Sequence, residues 1–479
     1  MKKIVIICLV LVQGLVAQTS EKKVWDLLLA NKREEARKLF DKELKSKKET
    51  QAEYLILDAI LTHEMGQMSF DDTFVKQFLA TCKDRAYLYP IFYKPYVMDS
   101  PNGNGYNEYT YKKIDLLAAH PLFGTDPIVI YFKAICDRRR RDFAGFEKAI
   151  VKLKALDSWQ FCGVFENLND SGFDTEYEPE TYANNDKLFD ANSNGKVGWY
   201  NPVDRDREGY HIFNNEAEYG DGIMYAQLFL DNPKAQEVYL NFGASSSIKF
   251  FLNDTEIYSN NDVDATDMNA FRLKFTLPQG MNRLLVKIST DGSNDNFFAS
   301  LLDAQGNEIQ GLNKYNTYKP YQKSTFEQLN PIELEVEHEA FFKQKLAQNP
   351  DNVLYKILLF EAYNNNSKNE LATDIIEELT KLYPKSSLIQ VMQIANLNNR
   401  EENQKSEEVA KNIEVNDEGY YYNFLMKVQD SDWLRSTSII ELEKFREKLK
   451  SVKSEAINTV FDFILASRKS DLNQMTTKL

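Results

Sequence analysis

The feature that most restricts this chain is a change of hydrophobic period. From residue 21 to 156, and again from about residue 323 onward, apolar residues recur at helical spacing. Between Trp159 and about residue 310 the period falls to two. The stretch "SSSIKFFLNDTEIYSN" (245–260) shows it: Ile248, Phe250 and Leu252 alternate with Lys249, Phe251 and Asn253. One apolar face cannot serve both periods, and 479 residues are too many for a single core. The expected class is therefore multidomain α + β.

The helical stretches carry recognisable breaks. "VWDLLLANKREEARKLFDKEL" has apolar positions at Val24, Leu27 and Leu28, then at Ala36, Leu39 and Phe40, a helix pair broken near Asn31. "EYLILDAILTHEMGQ" runs to a stop at Gly66, and the Pro/Gly-bearing loop 99–109 must be irregular. Two further helices follow, with a turn near Arg141–Asp142. In the C-terminal part, helices open at Asn349-Pro350 and Tyr383-Pro384. These prolines lie 34 positions apart (384 − 350), the period of a tetratricopeptide repeat, and proline suits a helix start because the first-turn amide has no partner to lose.

Between the helical parts, strands are expected at 238–242, 248–252, 271–277, 282–288 and 297–303. Turn signals separate them: Asn253-Asp254, Pro278-Gln279-Gly280, Asp291-Gly292 and Ala304-Gln305-Gly306. Phe271, Leu273, Phe275 and Leu277 face one way, while Arg272, Lys274 and Thr276 face the other. Half-buried strands with polar outer faces predict an antiparallel β-sandwich. The expected organisation is a signal peptide (1–17), an N-terminal helical repeat domain (18–156), a jelly-roll-type sandwich (157–318) and a C-terminal tetratricopeptide-like domain (319–479).

"MKKIVIICLVLVQGLVAQTS" supplies two lysines, an apolar run too short to span a bilayer, and Ala17 as a cleavage residue, which predicts export to the periplasm or cell surface. No later segment reads as a membrane span. Loss of residues 1–17 takes the formal charge from −14 to (58 − 2) − 72 = −16, and such acidity makes nucleic acid a poor partner. Three cysteines remain, Cys82, Cys136 and Cys162; an odd, sparse set reads as small buried hydrophobes, with Cys82–Cys136 the one pairing considered.

No catalytic, cofactor-binding or metal-binding residues are assigned. "HEMGQ" (63–67) and "HEAFF" (338–342) begin like zinc-protease helices but lack the second histidine. "DANSNG" (190–195) matches half a calcium loop, yet Asn201 stands where a bidentate Glu is needed. Cys162 with His211 lacks an orienting acid and reads as a core thiol. "RRRR" (138–141) reads as a helix C-terminal cap, with a docking patch for an acidic partner as the alternative. Trp199, Tyr200, Tyr210 and Tyr225 read as packing, with a sugar-stacking platform as the alternative, and "GYYYNF" (419–424) reads as a packing helix, with a recognition stripe as the alternative.

The span "WQFCGVFENLNDSGFDTEYEPE" (159–180) resembles the opening of the galactose-binding-like sandwich of large exported proteins from Bacteroidetes-type bacteria. Trp159, Gly163, Phe165, Gly172, Phe173, Asp174, Pro179 and Glu180 match its pattern; Val164 departs where proline is usual. "LPQGMNRLLVKI" is similar to its later core strand. In that group tetratricopeptide-like helices flank the sandwich and a transglutaminase-like domain follows. Here Cys162 is the last cysteine, so the chain looks like the non-catalytic N-terminal half. The resulting expectation is a non-enzymatic exported scaffold with a protein or peptide partner. The alternatives are a glycan-binding surface protein and an accessory half of a transglutaminase-like enzyme.

Overall fold

The computed structural model describes residues 20–67, 72–89, 107–202, 209–213, 221–291, 295–449 and 455–470. The signal segment 1–17 and most of the loop 99–109 lie outside the described residues. The helices in chain order are α1 (20–29), α2 (Arg33–Glu43), α3 (Ala52–Glu64), α4 (Asp72–Thr81), α5 (Glu108–Ala119), α6 (Pro127–Arg139), α7 (Phe143–Ile150), α8 (Phe326–Leu329) and α9 (Glu337–Gln348). They continue with α10 (Val353–Asn364), α11 (Asn369–Leu382), α12 (Ser387–Asn399), α13 (Asn403–Asn416) and α14 (Tyr421–Gln429). The last three are α15 (Ser431–Ser436), α16 (Ile439–Leu449) and α17 (Glu455–Arg468). The chain is multidomain α + β, with helices and antiparallel sheets.

Two compact units divide it, and each draws on separated stretches of sequence. The helical unit comprises residues up to Phe123 together with Phe342–Asn364 and Asn369 onward; the sheet unit comprises Gly124–Phe341 and Asn365–Lys368. The helical stretches expected as two terminal domains thus group as one unit. Residues 124–156, expected with the N-terminal helices, group with the strands: Ala155 bridges Ser300, and the Tyr131 ring meets Tyr210 edge-on.

Within the helical unit the pairs close by one device. After α1, Asn31 adopts φ +62 while its amide donates to Leu28 O and the next amide to Leu27 O. Gly66 after α3 and Glu401 after α12 repeat those two bonds, and Ser367 after α10 shares the left-handed backbone. This closure satisfies the last carbonyls of a helix and turns the chain back on itself. The turns recur regularly: Asn31 to Gly66 is 35 positions (66 − 31), Ser367 to Glu401 is 34 (401 − 367).

The sheet unit holds two antiparallel sheets sharing one core. One sheet runs β1 (Gln160–Phe165), β5 (Asp221–Asn232), β10 (Gly280–Asp291), β7 (Ile248–Leu252), β8 (Thr255–Asn260), with β12 (Asn313–Tyr315) on β5. The other runs β13 (Ile332–Leu334), β9 (Phe271–Leu277), β6 (Gln236–Ala244), β11 (Asn296–Leu302), β4 (Tyr210–Ile212). β2 (Phe189–Asp190) and β3 (Lys196–Val197) form a separate small hairpin. Strand alternation fills the core: Leu228 and Leu230 from β5, Val286 and Ile288 from β10, Leu240 from β6 and Phe275 from β9 are all buried there. The Asn253-Asp254 turn has φ +51 and +63, the two positive values that a tight β7–β8 hairpin demands and that Asn and Asp tolerate.

The outer face of the first sheet corrects one expectation. It is not solvated: residues 166–200 cross it as a strap, and beneath them Arg283 is 0% and Lys287 1% exposed. Cys162, Phe165, Phe173, Trp199, Tyr225, Phe251 and Leu285 form a second apolar layer there. Alternation alone cannot distinguish a polar face in water from one that is covered.

Candidate functional site

The strap is held by buried charge. Arg283 donates to Gln227 Oε1 at 2.8 Å, to the carbonyls of Pro179 at 2.5 Å and Glu180 at 3.2 Å, and to Asp254 at 3.1 Å. Lys287 Nζ reaches Glu180 at 2.8 Å and Thr175 O at 2.6 Å, and Tyr225 donates to the same carboxylate at 2.6 Å. Burial lowers the Lys287 ammonium from its ordinary range while Glu180 works against the change; burial and then Glu180 raise the Tyr225 phenol well above its usual range. Buried ions so placed need every partner. A Cβ on Gly172 would sit 2.6 Å from Glu166 O, so this glycine serves close packing within the strap, while one on Gly163, at φ +150, would meet Met224 of the neighbouring strand β5.

The open site lies in the helical unit. A cavity of about 270 Å³ is lined by residues 31–35, by Glu64 and Met65, and by Asp417 and 419–421. Its walls come from the α1–α2 turn, the end of α3 and the start of α14. Asn31 Nδ2 donates to Lys385 O at 2.8 Å, and the Ser387 amide donates to Asn31 Oδ1 at 2.9 Å, so the left-handed turn is clamped to the start of α12. Arg33 pairs with Asp417 at 2.7 Å and Glu64 at 3.4 Å and lies 4.0 Å over the Tyr420 ring. Tyr420 donates to Glu64 at 2.8 Å, Ser387 Oγ to Asp417 at 2.6 Å, and the Tyr421 hydroxyl meets the His63 ring at 2.8 Å.

Burial works against the Arg33 charge, but Glu64, Tyr420 and Asp417 outweigh it and raise its pKa; the Tyr420 phenol is raised by burial and then by Glu64. The inner wall is therefore a connected set of ion pairs and hydrogen bonds around Arg33. Lys32, Glu34 and Glu35 at the rim are exposed. Such an arrangement can grip a polar chain segment by hydrogen bonds and charge. Sequence reading missed this site because Arg33, Glu64 and Asp417 are up to 384 positions apart and share no local pattern. Its traces were scattered: "HEMGQ", read as a failed zinc motif, "GYYYNF", read as a packing helix, and the helix break near Asn31.

The other singled-out residues are placed as follows. Cys82, Cys136 and Cys162 are buried and unbridged; burial pushes Cys82 up to about 12 and raises Cys162 as well. Cys162 packs in the layer under the strap, whereas His211 rests on Trp159 and Phe297 of the inner core, so the two are not brought together. His211 Nε2 lies 2.7 Å from Leu156 O, and burial lowers its pKa to about 4. His338 is lowered to about 3, again by burial first, and its neighbour Glu339 pairs with Lys368 at 2.7 Å.

In the 190–195 loop, Asn192 Nδ2 and Ser193 Oγ donate to Glu166 at 3.1 and 2.9 Å; among the described residues no group of three or more metal-ligating side chains occurs. Trp199 donates to Tyr182 O at 3.2 Å and is 7% exposed, and Tyr225 is 0% exposed. Two of the four rings considered for sugar stacking are thus under cover. Among the described residues no helix is long and apolar enough to cross a membrane.

No family model matches the chain, and no curated protein does. A crystal structure of a beta-glucosidase from Kluyveromyces marxianus matches at 13% identity and a TM-score of 0.18, covering 22% of this chain and 14% of that one. The same enzyme in complex with glucose matches at 13% identity and a TM-score of 0.20, covering 30% and 16%. The chain spans less than a fifth of either enzyme, and a likeness of this size carries no argument about fold or activity.

Proposed function

We propose that this is a non-enzymatic exported binding protein, in which the helical unit receives a segment of a peptide or protein and the sheet unit adds a second recognition surface. The observation that carries it is the cavity at residues 31–35, 64–65 and 417–421, with exposed charges at the rim and paired, hydrogen-bonded side chains at its base. Preorganised polar walls reduce the ordering cost that a bound segment imposes. The 34- and 35-residue spacing of the left-handed turns supports a tetratricopeptide-like assignment for the helices, a class that presents concave surfaces to peptides. The 159–180 motif supports a galactose-binding-like assignment for the sheets and kinship with the non-catalytic half of transglutaminase-like exported proteins.

A peptide-display selection against the full chain tests the reading. Enriched peptides are expected to lose about tenfold in affinity against Glu35→Lys, a rim change that leaves the Arg33 lattice intact. No enrichment, or enriched peptides indifferent to that change, overturns it.

A further inference from the structure

The turn between α6 and α7 is built around cations. Arg141 adopts φ +67, its amide donates to Arg138 O at 3.0 Å and the next amide to Asp137 O at 2.8 Å; glycine is the easier residue in that conformation. Asp142 caps α7 through the Gly145 amide, and Arg140 pairs with Asp137 at 2.8 Å, so the cap expected for "RRRR" engages Arg140. The segment as a whole is more than a cap. Residues 138–154 hold Arg138, Arg139, Arg140, Arg141, Lys148, Lys152 and Lys154 against Asp142 and Glu147, a formal +5 (7 − 2) in a chain of −14. The remainder of the chain is therefore at −19 (−14 − 5).

Bulky apolar groups stand among those cations. Phe143 at the start of α7 is 57% exposed and Val151, just past its end, 68% exposed, with the exposed Glu147 four positions from each. Lys148 and Lys152 are exposed as well. A protruding turn with cations around an aromatic and an aliphatic tip matches a broad anionic surface with an apolar interior. The cations meet phosphates while Phe143 and Val151 enter the headgroup layer. Repulsion from the acidic remainder is screened beyond about 8 Å at physiological salt, which leaves the local patch in control of close approach.

We propose that the α6–α7 turn is a docking surface for an anionic phospholipid bilayer, a peripheral contact separate from the helical-unit cavity. The test is co-sedimentation of the full chain with vesicles of phosphatidylglycerol and phosphatidylcholine, compared with phosphatidylcholine alone, across rising salt. Binding to the anionic vesicles is expected, weakening with salt, and falling about tenfold or more in Arg141→Glu/Lys148→Glu/Lys152→Glu. Phe143→Ser is expected to weaken binding several-fold while keeping its salt dependence. Lys381→Glu, an exposed reversal on α11, is expected to leave binding unchanged, and circular dichroism melts establish that each variant is folded. Three results overturn the proposal: equal sedimentation with neutral vesicles, anionic binding untouched by the triple reversal, or patch-dependent capture of polyglutamate without vesicle binding, which assigns the patch to an acidic polypeptide.

Discussion

In the sheet unit the lock has the shorter reach: Arg283 spans 104 positions back to Pro179. In the helical unit Arg33 spans 384 positions to Asp417. Both locks are charged, but their surroundings differ. Arg283 is sealed beneath the strap, whereas the Arg33 side chain is 13% exposed at the wall of an open cavity. A sealed ion has no water to replace a lost partner, so the first lock is costlier to break and the second is better placed to meet a ligand.

Arg283→Met puts the contrast to its strongest test. It leaves Gln227 Oε1 and two carbonyls without that donor and Asp254 with only Tyr321 and Lys323, and a loss of about 3–5 kcal/mol is expected in chemical denaturation, with earlier proteolysis between residues 166 and 200. A loss below about 1 kcal/mol would show that the strap does not depend on it.

Next in size is a pH effect in the same unit. The folded His211 pKa lies near 4, below the ordinary 6.5, so the unfolded chain takes up a proton first. Stability is then complete above pH 6.5 and declines as pH falls toward 4, by up to about 3 kcal/mol. His211→Gln should flatten that slope; His338, lowered in the same sense, supplies the residue of it. An unchanged slope refutes the assignment.

Arg33→Met should cost less, about 1–3 kcal/mol, because water reaches Asp417 at the cavity and the buried Glu64 keeps Tyr420 as a donor. A cost equal to that of Arg283→Met would erase the distinction between sealed and open locks. The smallest effect is expected at Glu401, whose φ of +57 favours glycine: Glu401→Gly should gain up to about 1 kcal/mol by thermal melting, and no gain would mean the turn is unstrained.

These differences also mark how much could be read in advance. β9 was visible because Phe271, Leu273, Phe275 and Leu277 alternate, and the α1–α2 break because Asn31 interrupts a helical stripe. The covered face was not visible. Arg283 and Lys287 sit at positions that alternation assigns to water, and nothing local says that residues 166–200 will lie over them. The cavity was hidden more deeply, since its walls come from the two ends of the chain and hydrogen bonds of such range leave no period. The arginine run was legible as a motif, while the exposure of Phe143 and Val151 beside it required the fold.

The interleaving of the two units also sets an order in time. Helices α1 to α5 leave the ribosome early, yet the rest of their unit begins at Phe342, after the whole of residues 124–341 has been made. The strands can mature during that interval, but the first helices must hold their apolar sides unmatched until translation is nearly done. A nascent chain arranged in this way keeps its opening helices waiting for partners longer than its strands.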